Sequence, residues 1–297
     1  MLDVFLGAIS LGLLWAVMTI GVYITYRILD IADLTVEGSI AMGAAIAAKA
    51  ISMGINPFAA TVLAFIGGLA AGLVTGLLHT RLKIPALLSG ILTMIAIYSI
   101  NLHIMGKANI ALLRMDTVYT PLTKIGISSN NSIIVLGFIC VSAVVGILYW
   151  FFGTELGSAI RATGNNPNMV RAQGINTNVM KIIGLIISNG LVAVSGALIA
   201  QSQGYSDVQM GTGSIVIGLA SVIIGEVLFG RKSFFSKLLS LVLGAITYRV
   251  IIAVVLFLGM PANDLKLFTA VTVAIALALP VFKTYLHPVK ISIKEGE

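Results

Sequence analysis

Long runs of apolar residues divide almost the whole chain, and they limit its fold more than any other feature. A helix needs about 20 apolar residues to cross the hydrocarbon core of a bilayer. The stretches that approach this length are residues 4–27, 37–53, 58–80, 86–105, 132–152, 179–201, 213–229, 236–258 and 264–282. Only 10% of the 297 residues are charged, and the mean hydropathy is +1.06. We therefore predict an all-α polytopic membrane protein with about eight or nine transmembrane helices.

The positions of lysine and arginine predict how these helices are oriented. If the polar insert at residues 158–176 is cytoplasmic, most of the basic residues outside the spans fall on the same side. Only Lys107, Arg114 and Lys124 then lie outside. This asymmetry favours an outer N-terminus, an inner C-terminus and a main external loop at about residues 106–130. We expect one transmembrane domain over residues 1–297 in the cell membrane, with a retained first span.

An internal repeat links two parts of the chain. The segments Gly38–Ala45 and Gly213–Ala220 share G-S-I-x-x-G-x-A, and LKIPA at residues 82–86 matches LGMPA at residues 258–262 in the same register. An odd number of spans separates the two starts, so the copies would cross the membrane in opposite directions. Such inverted repeats are typical of transporters, with the site between the halves. We predict repeat A at about residues 37–105 and repeat B at about 213–282.

Small and polar residues inside the spans are candidates for a solute pathway. Exposing polar groups to lipid is costly, so they should face the bundle interior or water. The candidates are Gly38, Ser39, Ser188, Asn189, Ser195, Gly213 and Ser214. Hydrogen bonds from helix to helix are the competing explanation for the polar side chains among them.

Ionisable residues within the spans give no sign of an enzyme. Glu226 and Arg249 lie deepest in apolar sequence, and a structural ion pair or snorkelling is favoured over a coupling role. The histidines share no metal-ligand spacing, and no Ser/His/Asp cluster is present. We expect no metal site and no catalytic residue. Without G-x-x-x-x-G-K-[ST], the chain cannot supply its own phosphate-binding loop.

The polar insert begins with the signals of a short helix. Thr154 can cap its N-terminus, and Glu155 lies in the first turn, where a negative charge is favourable. We expect this helix to run through Arg161 and to stop at Gly164, because glycine commonly ends helices.

A second short helix is predicted immediately afterwards. Asn166 can cap it, Pro167 suits its first position, and Gly174 marks its end. The sequence thus predicts two short cytoplasmic helices joined by a turn. Their mixture of small, basic and apolar side chains suits the groove of a partner protein, although a solvated loop remains an alternative.

The insert also carries the residues of a family resemblance. IRATGNNPNMVRAQGIN, at residues 160–176, followed by a helix and GTGSIVIGLASVIIG, resembles permease subunits of ABC importers for branched-chain amino acids, ribose and nucleosides. RILDIADLTVEGSIAMGAAIAA, from Arg27, extends the resemblance more weakly to the front of the chain. The chain departs from the family pattern at Val170–Arg171 and at Gly225–Glu226. The Gly-Glu form, with the run from Tyr26 to Thr35, is more similar to a smaller branch described as tryptophan/tyrosine or uncharacterised permeases.

The resemblance implies that the insert couples the chain to an ATPase. Arg161, Ala162, Gly164, Asn166, Pro167, Gly174, Ile175 and Asn176 match the family pattern. We predict that the coupling residues are Glu155, Arg161, Ala162, Gly164, Asn166, Pro167, Arg171 and Gly174. The implied partners are two cytoplasmic ABC ATPase subunits, which would hold ATP and magnesium, an extracytoplasmic solute-binding protein, and a second permease copy in a homodimer. The lipid bilayer surrounds the predicted permease. The basic residues are scattered along the chain, so they do not indicate binding to nucleic acid.

We therefore interpret the chain as the permease subunit of an importer for a small solute. Amino acids, aromatic or branched-chain, come first by resemblance. A secondary transporter or channel that needs no ATPase is the main alternative, and it would require a functional acid or base at mid-membrane. An intramembrane enzyme or assembly factor is the third reading, and the missing catalytic cluster is the objection to it.

Overall fold

The computed structural model describes residues 2–230, 233–259, 261, 264, 267–275 and 278. Helices and short strands follow one another along the chain. They are α1 (Leu2–Tyr23), a π-helical turn (Ile24–Ile28), α2 (Thr35–Ser52), α3 (Pro57–Thr80), α4 (Ala86–Met105), β1 (Asn109–Ala111), α5 (Thr120–Lys124), α6 (Ser129–Gly153), α7 (Glu155–Asn165), α8 (Pro167–Ala172), α9 (Thr177–Gln203), β2 (Tyr205–Asp207), α10 (Ser214–Phe229) and α11 (Phe234–Phe257).

The prediction of a polytopic helical protein is confirmed, with a lower count of full-length spans. Within the described residues, six helices are long and apolar enough to cross a membrane: α1 with its π-helical turn, α3, α4, α6, α9 and α11. The second and seventh predicted spans correspond to α2, with 18 residues, and α10, with 16. The ninth, at residues 264–282, lies partly outside the described residues, and its positions 267–275 are helical.

Helix α9 forms the centre of the bundle and is the most buried of the span-length helices. Gly68, Gly72 and Gly76 lie one turn apart on α3 and face α9. A Cβ atom at Gly72 would overlap the Leu185 carbonyl, so only glycine permits this approach. Small residues allow helices to pack closely in a membrane, where the hydrophobic effect does not drive them together.

The chain turns sharply between α1 and α2 around a buried acid. Asp33 is only 3% exposed, and its Oδ1 accepts a hydrogen bond of 2.9 Å from the backbone N–H of Thr35. This bond satisfies one of the free N–H groups at the start of α2. The first turn of α2 therefore lies inside the bundle, within reach of α9.

The predicted external loop is folded onto the bundle. Strands β1 and β2 pair antiparallel, with Ile110 opposite Ser206. The hydroxyl of Tyr119 donates to the Leu198 carbonyl at 3.0 Å, and burial raises the pKa of this phenol. The backbone N–H of Val118 donates to the side chain of Gln201 at 3.0 Å. These long-range contacts join the segment after α4 to the end of α9.

Candidate coupling surface and solute pathway

Two capped helices form the polar insert, as predicted. The side chain of Thr154 accepts a hydrogen bond from the backbone N–H of Gly157 at the start of α7. Asn166 accepts from Met169 N–H at 3.1 Å and begins α8, with Pro167 at the first position. A third cap follows at the start of α9. Each short helix therefore has a defined start.

The reason for Gly164 differs from the prediction. Helix α7 does not stop at Gly164 but continues to Asn165. A Cβ atom at Gly164 would overlap the Ile28 carbonyl, so glycine is needed here for close packing on the π-helical turn. Gly174 does follow the end of α8, with a φ of +81°, as expected for a helix terminator.

The two short helices have an inner and an outer face. Ile160 and Val170 are fully buried and fix the helices to the bundle. Among the predicted coupling residues, Glu155, Arg161, Asn166, Arg171 and Gly174 are exposed, and Ala162, Gly164 and Pro167 are half-buried. Two large apolar side chains, Leu156 and Met169, are also exposed beside these charges. We call the exposed face of residues 155–174 the coupling surface.

Both arginines of the coupling surface are held by neighbouring helices. The Arg161 guanidinium lies 5.3 Å from the ring centroid of Phe234, at the start of α11. Arg171 donates from Nε to the Thr177 hydroxyl at 2.9 Å, in the first turn of α9. The surface is thus connected to two long helices of the bundle.

The hydroxyl groups of two predicted pathway serines form hydrogen bonds with a neighbouring helix. The hydroxyl of Ser188 donates to the Gly21 carbonyl, and that of Ser195 donates to the Leu14 carbonyl, both at 2.8 Å. Both serines are fully buried. They join α9 to α1 and face α1. Hydrogen bonding between helices, the alternative raised from the sequence, therefore explains why these two serines are polar.

Asn189 lies at the centre of a larger network. Its Oδ1 accepts from the Ser39 hydroxyl at 2.6 Å, and its Nδ2 donates to Asp33 Oδ2 at 2.8 Å and to the Leu185 carbonyl at 3.0 Å. The amide therefore ties α9 to α2 and to the turn before it. We call Asp33, Ser39, Ser188, Asn189 and Ser195 the buried polar seam.

The remaining pathway candidates lie where α2 and α10 begin. The backbone N–H of Gly213 donates to Glu37 Oε1 at 3.0 Å, and Gly38 lines a cavity beside this contact. The hydroxyl of Ser214 is buried and has no hydrogen-bond partner among the described residues. The two Gly-Ser-Ile segments are thus brought together by their first turns.

Glu226 and Arg249 do not pair with each other. Glu226 forms an ion pair with Arg27 at 2.5 Å, which links α10 to the π-helical turn. The Arg249 guanidinium stacks 4.1 Å from the ring centroid of Trp15 on α1. The ion pair of Glu226 agrees with the structural role favoured from the sequence. Arg249 instead contacts an aromatic ring of α1, and its Nε is buried without a hydrogen-bond partner among the described residues.

Comparison with known proteins identifies the family. The profile of the family described as the permease component of the branched-chain amino acid transport system matches residues 4–279. The tyrosine transport system permease protein of Clostridioides difficile (strain R20291) is 42% identical over 92% of the chain and 90% of its own length. The chain belongs to this permease family.

One further relative and one solved structure are also similar to the chain, the latter in its fold alone. An uncharacterised protein of Rickettsia prowazekii (strain Madrid E) is 31% identical to the permease over 93% of the chain and 98% of its own length. A chain of an ABC transporter solved in an inward-facing conformation shares the fold, with a TM-score of 0.52, 13% identity, and coverage of 95% of the permease and 85% of that chain. The protein is a multi-pass membrane permease of the ABC transporter class, a transport component and not an enzyme.

Sequence reasoning missed three polar residues of the permease. Asp33 and Glu37 enter the sequence analysis only as letters of the segment from Arg27. In the structure, Asp33 is buried in the seam, and the Glu37 carboxylate accepts a hydrogen bond at the start of α10. Asn101 is a polar residue within the apolar helix α4, the same signal that singled out Asn189. It could have been found by applying that criterion to every span.

Proposed function

We propose that this permease imports an amino acid, with L-tyrosine as the first candidate, in a complex with ABC ATPases. The main support for this proposal is the 42% identity to a permease named for tyrosine transport, which extends over nearly the full length of both chains. The low charge of the spans agrees with a small zwitterionic solute. A binding protein outside would deliver the solute, and a second copy of the chain would complete the path.

We propose that two ATPase subunits, which hold ATP and Mg²⁺, bind the coupling surface of two permease copies. Two features support this role: exposed apolar and charged side chains lie together there, and the inner face of α7 is packed into the bundle. Closure of the ATPases would move α7 and α8 together. The contact of α7 at Ile28 would pass this movement to α1, and the contact of Arg171 with Thr177 would pass it to α9.

We place the solute route beside the junction of α2 and α10, where Gly38, Ser39, Gly213 and Ser214 lie. Repeats at residues 37–105 and 213–282, running in opposite directions, would rock about this junction in alternating access. In this scheme Ser188, Asn189 and Ser195 hold α9 to its neighbours and do not contact the solute.

Reversal of one charge on the coupling surface tests the proposal. In proteoliposomes that contain the permease with its ATPase and are supplied with the binding protein, Arg161→Glu should lower ATP-dependent L-tyrosine uptake at least about tenfold. The reason is that the substitution replaces a positive charge at the contact with the ATPase by a negative one. ATP hydrolysis should continue without matched uptake. Lys107→Glu reverses an exposed charge in the external segment and should leave uptake unchanged.

Deletion of residues 155–173 should abolish co-purification with the ATPase while the permease still inserts in the membrane. Normal uptake in Arg161→Glu, or ATPase binding after the deletion, would contradict the coupling role. Uptake by the permease alone, driven by an ion gradient, would favour an ATPase-independent transporter.

A further inference from the structure

A cavity of about 430 Å³ lies between the start of α2, the outer part of α4 and the segment that follows β2. Its polar lining residues are Glu37, Tyr98, Asn101, Gln209 and Thr212. Cavities of this size commonly hold small ligands. Glu37, Tyr98 and Asn101 belong to repeat A, and Thr212 lies immediately before Gly213, where repeat B begins.

Asn101 is the most unusual residue of this cavity. It is only 1% exposed, and neither its Oδ1 nor its Nδ2 has a hydrogen-bond partner among the described residues. A buried amide without partners is destabilising, and such groups are rare in folded proteins. Asn189 shows the usual situation, since its amide is bonded on both sides. The amide of Asn101 is thus available to a molecule inside the cavity.

Among the lining residues that the structure describes, Glu37 supplies the only charge. One carboxylate oxygen accepts from the backbone N–H of Gly213, which fixes the side chain at the start of α10. Lys and Arg do not occur among the described lining residues, and the ion pairs of the described part of the chain do not include Glu37. A ligand with a positive group would therefore provide a counter-ion that the described residues lack.

The cavity opens at the surface of the bundle, next to the exposed side chains of Ile95 and Tyr98. If this opening faced lipid, a carboxylate and an amide would adjoin hydrocarbon, at a cost of roughly 3 kcal/mol per charged group. A water-filled path avoids that cost. The opening therefore suits the side of the permease that faces the path between two copies.

We propose that this cavity binds the amino acid in transit, with the Glu37 carboxylate as the counter-ion of its ammonium group. Asn101 would form hydrogen bonds with the solute carboxylate through Nδ2, and Tyr98 would border the opening. The proposal rests on the function proposed above and adds the site at which the solute is recognised within the membrane. Small anions without an ammonium group would be disfavoured, because the described lining supplies no cation.

Uptake by the reconstituted permease–ATPase complex, supplied with its binding protein and L-tyrosine, is the first measurement. Glu37→Gln keeps an oxygen for Gly213 N–H but removes the charge, so uptake should fall at least about tenfold. Asn101→Ala should also lower uptake, by a smaller factor. The matched controls Asp116→Asn and Asn131→Ala change exposed residues outside the cavity and should retain wild-type rates. Equal uptake in Glu37→Gln and Asp116→Asn would overturn the proposal.

Thiol labelling of the same complex tests the charge preference without any assumption about the solute. In a Cys140→Ala background, Asn101→Cys should react with a water-soluble methanethiosulfonate that carries a trimethylammonium group. It should react at least about tenfold faster than with a sulfonate-bearing analogue, after normalisation to Asn131→Cys, because Glu37 attracts the cation. Glu37→Gln should remove this preference.

The two measurements separate the two proposals. If wild-type complex fails to import L-tyrosine while Asn101→Cys shows the Glu37-dependent preference for the cation, the solute of the proposed function is wrong and the cationic site stands. If Asn101→Cys is as unreactive as Phe138→Cys, an exposed apolar position on α6, the cavity is closed to water and the site is rejected. If Asn101→Cys shows no preference for the cationic reagent while the wild-type complex imports L-tyrosine normally, the site is also rejected.

Discussion

The coupling surface and the buried polar seam both consist of polar residues in an apolar chain, but their side chains are used in opposite ways. On the coupling surface, Glu155 and Arg161 are exposed, and the backbone around them is fixed by N-caps. In the seam, the side chains are buried and form hydrogen bonds within the bundle, as Asn189 does with Ser39 and Asp33. The two regions therefore differ in whether their polar side chains are exposed or satisfied inside the bundle.

This difference changes the meaning of a polar residue within a span. Ser188 and Ser195 resemble pathway residues by position, yet each donates to a carbonyl of α1. Asn101 has the same kind of position on α4 and has no partner in the described part of the chain. The presence of a polar side chain in a membrane helix is thus less informative than whether a neighbour already satisfies it.

The largest effect is expected from removing the central amide of the seam. Asn189→Leu keeps the approximate shape but leaves Asp33 Oδ2 without its side-chain donor inside the bundle. The free energy of unfolding should fall by about 3 kcal/mol, because a buried carboxyl group loses its hydrogen-bond donor and the Ser39 hydroxyl loses its acceptor. Thermal unfolding of the detergent-solubilised permease would measure the loss.

Asn178→Leu provides the matched control for this variant. Asn178 lies in the first turn of the same helix, is exposed, and should tolerate the change with little loss of stability. Equal melting temperatures for the two variants would show that the seam is not structural, and the contrast with the coupling surface would then fail.

Local signals made the coupling segment predictable, whereas the seam required the tertiary structure. Thr154, Asn166 and Pro167 specify helix starts within a few residues, so their role can be read from the chain. The bond between Ser39 and Asn189 joins residues 150 positions apart, and no local rule specifies it. Gly164 shows the limit within the insert itself, since its contact is with Ile28 on another element.

An intermediate effect is expected where the coupling surface meets the bundle. In Gly164→Val, the new side chain would overlap the Ile28 carbonyl and displace α7 from the π-helical turn. Overpacking of this kind should lower the unfolding free energy by about 1–3 kcal/mol. ATP-dependent uptake should fall more than ATP hydrolysis, because the contact that transmits the movement is altered.

Gly153→Val is the control for the glycine substitution. A Cβ atom at Gly153, the last residue of α6, meets no atom of the described residues within 4 Å. This variant should keep both stability and the ratio of uptake to hydrolysis. If Gly164→Val transports normally, the lever role of α7 is wrong, even though its caps remain.

The smallest effect is expected from Ser195→Ala, and it tests the seam most directly. The change removes one hydrogen bond to the Leu14 carbonyl and should lower stability by about 1 kcal/mol. The KM for L-tyrosine should not change, because the hydroxyl faces α1 and not the cavity at Glu37. Ser188→Ala removes the equivalent bond to Gly21, and the double variant should show roughly the sum of the two stability losses, since the sites are separate. A severalfold rise in the KM for L-tyrosine in either single variant would place α9 on the solute route. The seam would then contact the solute, and its contrast with the coupling surface, whose polar groups are proposed to contact the ATPase, would disappear.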